Sequence, residues 1–210
     1  MIVAIDGPAG AGKSTVARRL AERLSFRYLD TGAMYRALTW LAMQRGVDLG
    51  DEARLEQLAR SEPVHFEDES RVWIAGTDVT SSIREQRIDR MVPVVARHPA
   101  VREIMRRRQR ELGREGNVVI EGRDIGTVVA PNAEVKVYLV ADRAEREKRR
   151  TQDRPGIGAD ALATDLRLRD QQDAERMQPA EDAREIDTTH STVDEVVDQI
   201  EALVRERTPA

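Results

Sequence analysis

An α/β fold, built on a parallel sheet flanked by helices, is predicted by three features of the sequence. Short β-branched runs at 2–5, 117–120 and 135–140 read as buried strands. Segments with apolar residues at helical spacing alternate with them. The first run also leads directly through a glycine-rich loop into a helix, the order in which an α/β unit presents a loop at the carboxyl end of a strand.

Ile2-Val3-Ala4-Ile5 is uncharged and runs into Gly7-Pro8-Ala9-Gly10-Ala11-Gly12-Lys13-Ser14, a full match to G-x-x-x-x-G-K-[ST]. Val16, Ala17, Leu20, Ala21 and Leu24 then recur on one helical face. Glycines in such a loop let successive N–H groups converge on one point, and the helix N-terminus adds its own unpaired donors. Lys13 is of a length to reach the β- and γ-phosphates of a nucleotide, and Ser14 can join the shell of a Mg²⁺ ion. Against a mere helix-capping turn, strand, loop and helix together point to a bound nucleoside triphosphate.

Arg27-Tyr28-Leu29 is the next strand, followed at Asp30-Thr31-Gly32 by a helix over Ala33–Gln44 that Thr31 can cap. Tyr35 and Arg36 fall one turn inside it, near the strand ends where open α/β sheets bind ligands. A shorter helix covers Asp48–Arg60. Val64-His65-Phe66 and Arg71-Val72-Trp73-Ile74 read as a hairpin around Asp68-Glu69-Ser70, with a third short strand near Gly76-Thr77-Asp78. This β-rich insert interrupts the alternation and reads as a small appended lobe.

Helices are predicted over Ile83–Met91 and Pro99–Leu112, with Pro93 and Pro99 as breaks. Arg102, Arg106, Arg107, Arg108 and Arg110 on the second form a face expected to be mostly solvated. Strand Asn117–Ile120 ends in Glu121-Gly122-Arg123-Asp124, and an arginine–aspartate pair there is a site candidate. Val135–Val140 is a strand. A polar helix from Arg143, a loop at Asp153–Gly158 and a helix over Asp160–Arg176 suggest a lid, with Arg169, Asp173 and Arg176 on one face. Ala183–Asp187 is a weak last strand. Thr192–Glu195 is a capping box opening the terminal helix, Val193–Arg207.

Composition bounds the function. The chain is 40% hydrophobic and 34% charged, which excludes disorder, and its net charge of −4 gives no support for coating nucleic acid. There are no cysteines, so disulfide and thiolate chemistry are excluded. No apolar run approaches the roughly 18 residues of a membrane span, and the N-terminus enters a strand instead of a signal sequence; a cytoplasmic protein without membrane partners is expected. His65, His98 and His190 lack metal-ligand spacing and read as structural or surface residues. Lysine occurs only at 13, 136 and 148 among 34 basic residues, so Lys13 stands where arginine is otherwise the habit.

AIDGPAGAGKST, LDTGAMYR, HPAVREIMRRRQR, EGRDIGTVV and RDQQDAER together, spread over residues 2 to about 190, resemble the short-type bacterial cytidylate (CMP) kinases. The glycine loop alone indicates only a P-loop protein; EGRDIGTVV with DTGAMYR is far more specific. The resemblance implies transfer of the γ-phosphoryl of ATP to CMP or dCMP with Mg²⁺, in a monomer with a P-loop core, a monophosphate-binding lobe and a lid. It divides the single domain into a core at about 1–30, 84–141 and 177–210, a lobe at about 31–83 and a lid at about 142–176.

By the same likeness Tyr35, Arg36, Arg123 and Arg176 surround the CMP phosphate, Arg102 and Asp124 meet the cytosine edge, and Thr31 lies near base or sugar. Arg169 and Asp173 meet sugar hydroxyls or bridge to phosphate. ATP is held by Gly7, Pro8, Ala9, Gly10, Ala11, Gly12, Lys13, Ser14 and Thr15, with Arg146, Arg149 and Arg150 on the lid or adenine side; Lys13, Arg36, Arg123 and Arg176 are the expected catalytic set. Asp124 can accept from the N4 amine of cytosine and would repel the carbonyl of uracil. Two departures stand out: Pro93 replaces a serine that often faces the base in this family, and the Thr151–Gly158 loop is shorter than in some relatives. Another acceptor on the same fold (UMP, AMP or shikimate) remains the nearest alternative. A nucleotide-switch GTPase lacks its N-K-x-D motif here, and a degenerate binding module would be expected to have lost Lys13 or the lid arginines.

Overall fold

The computed structural model describes residues 1–67, 71–154, 156–174 and 177–207. They divide into two compact units, Met1–Leu29 with Glu115–Ala210, and Asp30–Arg114.

In the first unit the strands are β1 (Ile2–Asp6), β2 (Arg27–Asp30), β6 (Val118–Glu121), β7 (Val135–Val140) and β8 (Arg184–Asp187), in the order β2-β6-β1-β7-β8. β1 runs parallel to β6 and β7, and β7 parallel to β8. Its helices are α1 (Lys13–Leu24), α6 (Arg143–Asp153), α7 (Ala159–Asp173) and α8 (Val193–Arg207). The core lies where Val16, Ala17 and Leu20 of α1 and Val197 and Ile200 of α8 meet Val3, Ile5, Val137 and Leu139 of the sheet, as the 3.6-residue spacing demands. Because the strands are parallel, their carboxyl ends at Asp6, Glu121, Val140 and Asp187 share one edge of the sheet.

The capping box forms as expected. The Thr192 hydroxyl and backbone N–H both donate to Glu195 Oε2, at 2.9 and 2.7 Å, and the Glu195 N–H donates to Thr192 Oγ1 at 3.3 Å. Thr192→Ala is expected to lower unfolding free energy by about 1 kcal/mol, measurable by urea denaturation.

The second unit holds α2 (Thr31–Gln44), α3 (Glu52–Ser61), α4 (Gln86–Ala96), α5 (Pro99–Gly113) and the antiparallel sheet β3 (His65–Glu67), β4 (Arg71–Ile74), β5 (Thr77–Asp78). Ala75 and Gly76 both take positive φ between β4 and β5, the geometry of a tight hairpin. The expected turn at Asp68–Ser70 lies outside the described residues. α4 packs on α2 and α5 on α3, so residues 84–114, expected with the sheet core, belong to this unit instead.

Three local expectations are corrected. The N-cap of α2 is Asp30, whose carboxylate accepts from Ala33 N; Thr31 is the first helical residue and is buried. Pro93 does not end a helix but lies within α4, in its last turn and a half. Only the bond to the carbonyl four residues back is forfeited there, while Ile88 and Val95 bury the same helix's apolar face. The arginines of α5 are not a fully solvated face: Arg107 is exposed, but Arg102, Arg106, Arg108 and Arg110 are half-buried.

Candidate active site

The glycine loop follows β1 without a break. Gly7, Gly10 and Gly12 have φ of 146°, 80° and 86°. Gly7 is required twice over, since a Cβ there would sit 2.2 Å from the Leu139 carbonyl oxygen. Gly12, left-handed, hands the chain to α1, whose first residue is Lys13. Among the described residues no side chain caps that helix, so its leading N–H groups face whatever the loop encloses.

Lys13 is only 6% exposed, and its Nζ donates to the Pro8 carbonyl at 2.7 Å. Burial pushes its pKa down to about 7, with the Arg123 charge adding to the effect, while Glu121, Asp6 and Asp173 oppose it. Ser14 is exposed, and its hydroxyl donates to Glu121 Oε2 at 2.9 Å; the buried Glu121 takes the Tyr28 hydroxyl on its other oxygen.

Asp6, at the end of β1, is buried and accepts from Ile125 N at 2.9 Å and Gly126 N at 2.8 Å. Burial raises its pKa, outweighing those two bonds, and the Asp124 charge adds to the rise. Asp6 thus ties the glycine loop's root to the turn that carries Arg123 and Asp124. That turn continues into a π-helical stretch over Ile125–Val129, where Val128 N donates to the Asp124 carbonyl at 2.9 Å. The Asp124 side chain is half-buried.

α6 and α7 are bound to the loop through arginine. Arg146 forms a two-pronged pair with Asp170 at 2.8 and 3.0 Å and donates to the Ala9 carbonyl at 3.2 Å. Arg149 donates to Thr188 Oγ1 at 2.9 Å and to the Gly10 carbonyl at 3.4 Å. Thr188, 3% exposed, lies 3.1 Å from both the Ala11 and the Val140 carbonyls. Arg123 Nε donates to Asp173 Oδ2 at 3.1 Å, and Asp165 lies between Arg169 at 3.3 Å and Arg150 at 3.7 Å. Burial lowers the Arg169 pKa to about 10, helped by Arg150 and Arg123 and opposed by Asp165, which leaves it charged at neutral pH.

Lys13, Ser14, Arg123, Asp124, Arg146, Arg149, Arg150, Arg169 and Asp173 are therefore all in the first unit, with Thr15 exposed beside the loop. Tyr35 and Arg36 are in the second, half-buried on α2, as is Arg102 on α5. Arg36 pairs with Asp30 at 2.6 Å. Arg176 lies outside the described residues. His98 is buried with Nε2 2.8 Å from the Leu49 carbonyl, a structural role as expected. Sequence reasoning did not single out Asp6, Glu121 or Thr188. The signal was present for the first two, as acids closing the apolar runs Ile2–Ile5 and Val118–Ile120. Thr188 is placed at the site only by tertiary contacts, with the Ala11 and Val140 carbonyls and the Arg149 guanidinium, and carries no local signal.

Among the described residues no three His, Asp or Glu side chains cluster as a metal site, and no helix is long and apolar enough to cross a membrane. The donors beside the loop, an exposed Ser14 hydroxyl with Glu121 on it, fit a hard cation that keeps most of its shell in phosphate oxygens and water, which is the habit of Mg²⁺.

The family model described as "Cytidylate kinase" matches residues 3–206. A cytidylate kinase of Anoxybacillus flavithermus is 51% identical over 98% of this chain and 96% of its own length. One of Bacillus licheniformis is 47% identical over 97% and 96%. A shikimate kinase structure from Bacteroides thetaiotaomicron aligns over 98% of both chains with a TM-score of 0.53 at 15% identity, a likeness of fold alone.

Proposed function

The chain belongs to the cytidylate kinase family, and on that premise we propose the following division of labour among its residues. The reaction is ATP-dependent phosphorylation of CMP and dCMP. The observation that carries the reading is the extent of the family match, which takes in the glycine loop, the Asp30–Arg36 stretch and the Arg123–Asp124 turn in one continuous span.

The acceptor oxygen of CMP is already anionic, so no general base is needed. It attacks the γ-phosphorus as the bond to the β–γ bridging oxygen breaks and ADP leaves with that electron pair. What the protein must supply is alignment and positive charge. The amides from Gly7 to Ser14 wrap the donor phosphates, and Lys13 shifts its Nζ from the Pro8 carbonyl to the β- and γ-oxygens. Arg146, Arg149 and Arg150 serve the ATP side, the first two by bracing the carbonyls of the loop itself. Tyr35, Arg36, Arg123 and Arg176 neutralise the acceptor phosphate and the charge spreading over the transferred group.

Arg102 and Asp124 read the cytosine edge, Thr31 lies near base or sugar, and Arg169 and Asp173 serve the sugar. Ser14 would hold Mg²⁺, which supplies further charge neutralisation on the phosphates. The protein is proposed to work as a cytoplasmic monomer, with the monophosphate lobe in the unit Asp30–Arg114 and residues 142–176 as the lid.

ADP release measured with CMP, dCMP, UMP and AMP as acceptors tests the assignment. CMP and dCMP are expected to be fastest, and AMP above CMP would refute it. Asp124→Ala is expected to cut the CMP-over-UMP ratio of kcat/KM by about tenfold to a hundredfold, the worth of one good base-reading contact. An unchanged ratio would remove Asp124 from base recognition.

A further inference from the structure

Asp30 has two duties on two different oxygens, both inside the unit 30–114. Oδ1 accepts from the Ala33 backbone N–H at 2.9 Å and caps α2. Oδ2 accepts from Arg36 Nη2 at 2.6 Å, in an ion pair whose side chains are 12% and 20% exposed. Capping needs only an acceptor, which asparagine or serine supplies as well as aspartate. The bond to Arg36 is the one that asks for a charge.

Gly32 belongs to the same arrangement. Its φ is not positive, so backbone freedom is not why glycine stands there. A Cβ at 32 would instead come 3.0 Å from Arg36 Nη1 and 3.1 Å from Asp30 Oδ1. The missing side chain is the space in which the guanidinium lies against its carboxylate. Arg36 spends one N–H donor on Asp30, and its Nε is buried with no hydrogen bond among the described residues.

We propose that Asp30 is a positioning residue for the phosphoryl acceptor, fixing Arg36 in one orientation in the room that Gly32 leaves, so that its remaining donors meet the monophosphate already aligned. The proposal rests on the assignment of Arg36 to the acceptor phosphate. An unpaired arginine would have to surrender its rotamer freedom when the nucleotide binds; here that ordering is done in advance. A carboxylate this close would also repel a dianion. The N–H groups at the start of α2 offset part of its charge, so the alignment is expected to outweigh the repulsion.

Asp30→Asn separates the two duties, because it keeps the cap acceptor and removes the charge that holds Arg36. Gly32→Ala reaches the same pair from the other side while improving helix propensity. Steady-state kinetics of the full chain, with CMP and ATP varied in turn, and thermal melts test both against Arg36→Ala. Asp30→Asn is expected to melt near the parent, raise KM for CMP roughly tenfold, the cost of ordering a freed side chain with its charge partner gone, and leave KM for ATP unchanged. Gly32→Ala should shift KM for CMP in the same direction.

If Arg36→Ala raises KM for CMP while Asp30→Asn and Gly32→Ala leave it unchanged or lower it, Asp30 does not position Arg36 and the proposal falls alone. If Arg36→Ala leaves KM for CMP unchanged, the assignment of Arg36 falls and takes the proposal with it. A rise in both KM values together with a lowered melting temperature in Asp30→Asn would reduce Asp30 to its capping role.

Discussion

Lys13→Met is expected to lower kcat by at least about a hundredfold, the scale for removing one preorganised donor from a developing charge, while the protein melts at or above the parent's temperature. The two effects diverge for one reason. Lys13 is buried beneath its loop with a neutral carbonyl as its hydrogen-bond partner, and burial holds its pKa near 7. Folding therefore places a charge where the empty protein gains little from it, and an apolar side chain of similar length removes that cost. Steady-state kinetics beside a thermal melt would show activity lost and stability kept; a large fall in both would mean that Lys13 is a structural residue.

The same lysine sets two pH trends of opposite sense. Its pKa is 10.5 unfolded and about 7 folded, so between those values the unfolded chain binds more protons. The Lys13 contribution to stability therefore rises from pH 7 towards pH 10, and the slope should vanish in Lys13→Met. ATP favours the charged lysine, so its affinity should weaken as pH rises from 7 to 9. Denaturant titrations and nucleotide binding at pH 7 and 9 read the two trends separately.

Arg123→Ala is expected to depress kcat/KM for CMP by about a hundredfold to a thousandfold, and turnover with UMP or AMP comparably, since the charge it offers is indifferent to the base. Arg123 follows β6 at the turn that Asp6 holds by two backbone N–H groups, and its Nε is paired with Asp173 on α7. Its loss would leave Asp173 without that partner, so part of the effect should fall on α7. A comparison with Asp124→Ala separates the roles: Arg123 should govern rate with every acceptor, Asp124 the ratio between acceptors. Equal loss of discrimination in both variants would merge them into one function.

The glycine loop was legible because its chemistry is local. Positive φ at Gly7, Gly10 and Gly12 is a property of a residue type, the strand before follows from an uninterrupted apolar run, and the helix after from an apolar period of 3.6. The capping box at Thr192 was legible for the same reason. Asp30 and Thr31 are both good caps one residue apart, and only the direction of the chain leaving β2 selects Asp30. The propensity of Pro93 alone predicts a break, and the packing of Ile88 and Val95 carries α4 through it.

What the amino-acid order determined alone was the alternating architecture, the phosphate loop with its lysine, and the Arg123–Asp124 turn, all of which depend on neighbours within a few residues. The tertiary structure decided which carboxylates serve that loop and turn. Asp6 meets residues 125 and 126, Glu121 meets Tyr28 and Ser14, and Asp170 reaches back to Arg146. These partners lie up to 120 residues apart in sequence. The pairings of Asp6 and Glu121 exist because parallel strands bring their carboxyl ends to one edge of the sheet, where burial makes each unmet charge or donor costly enough to demand a specific partner.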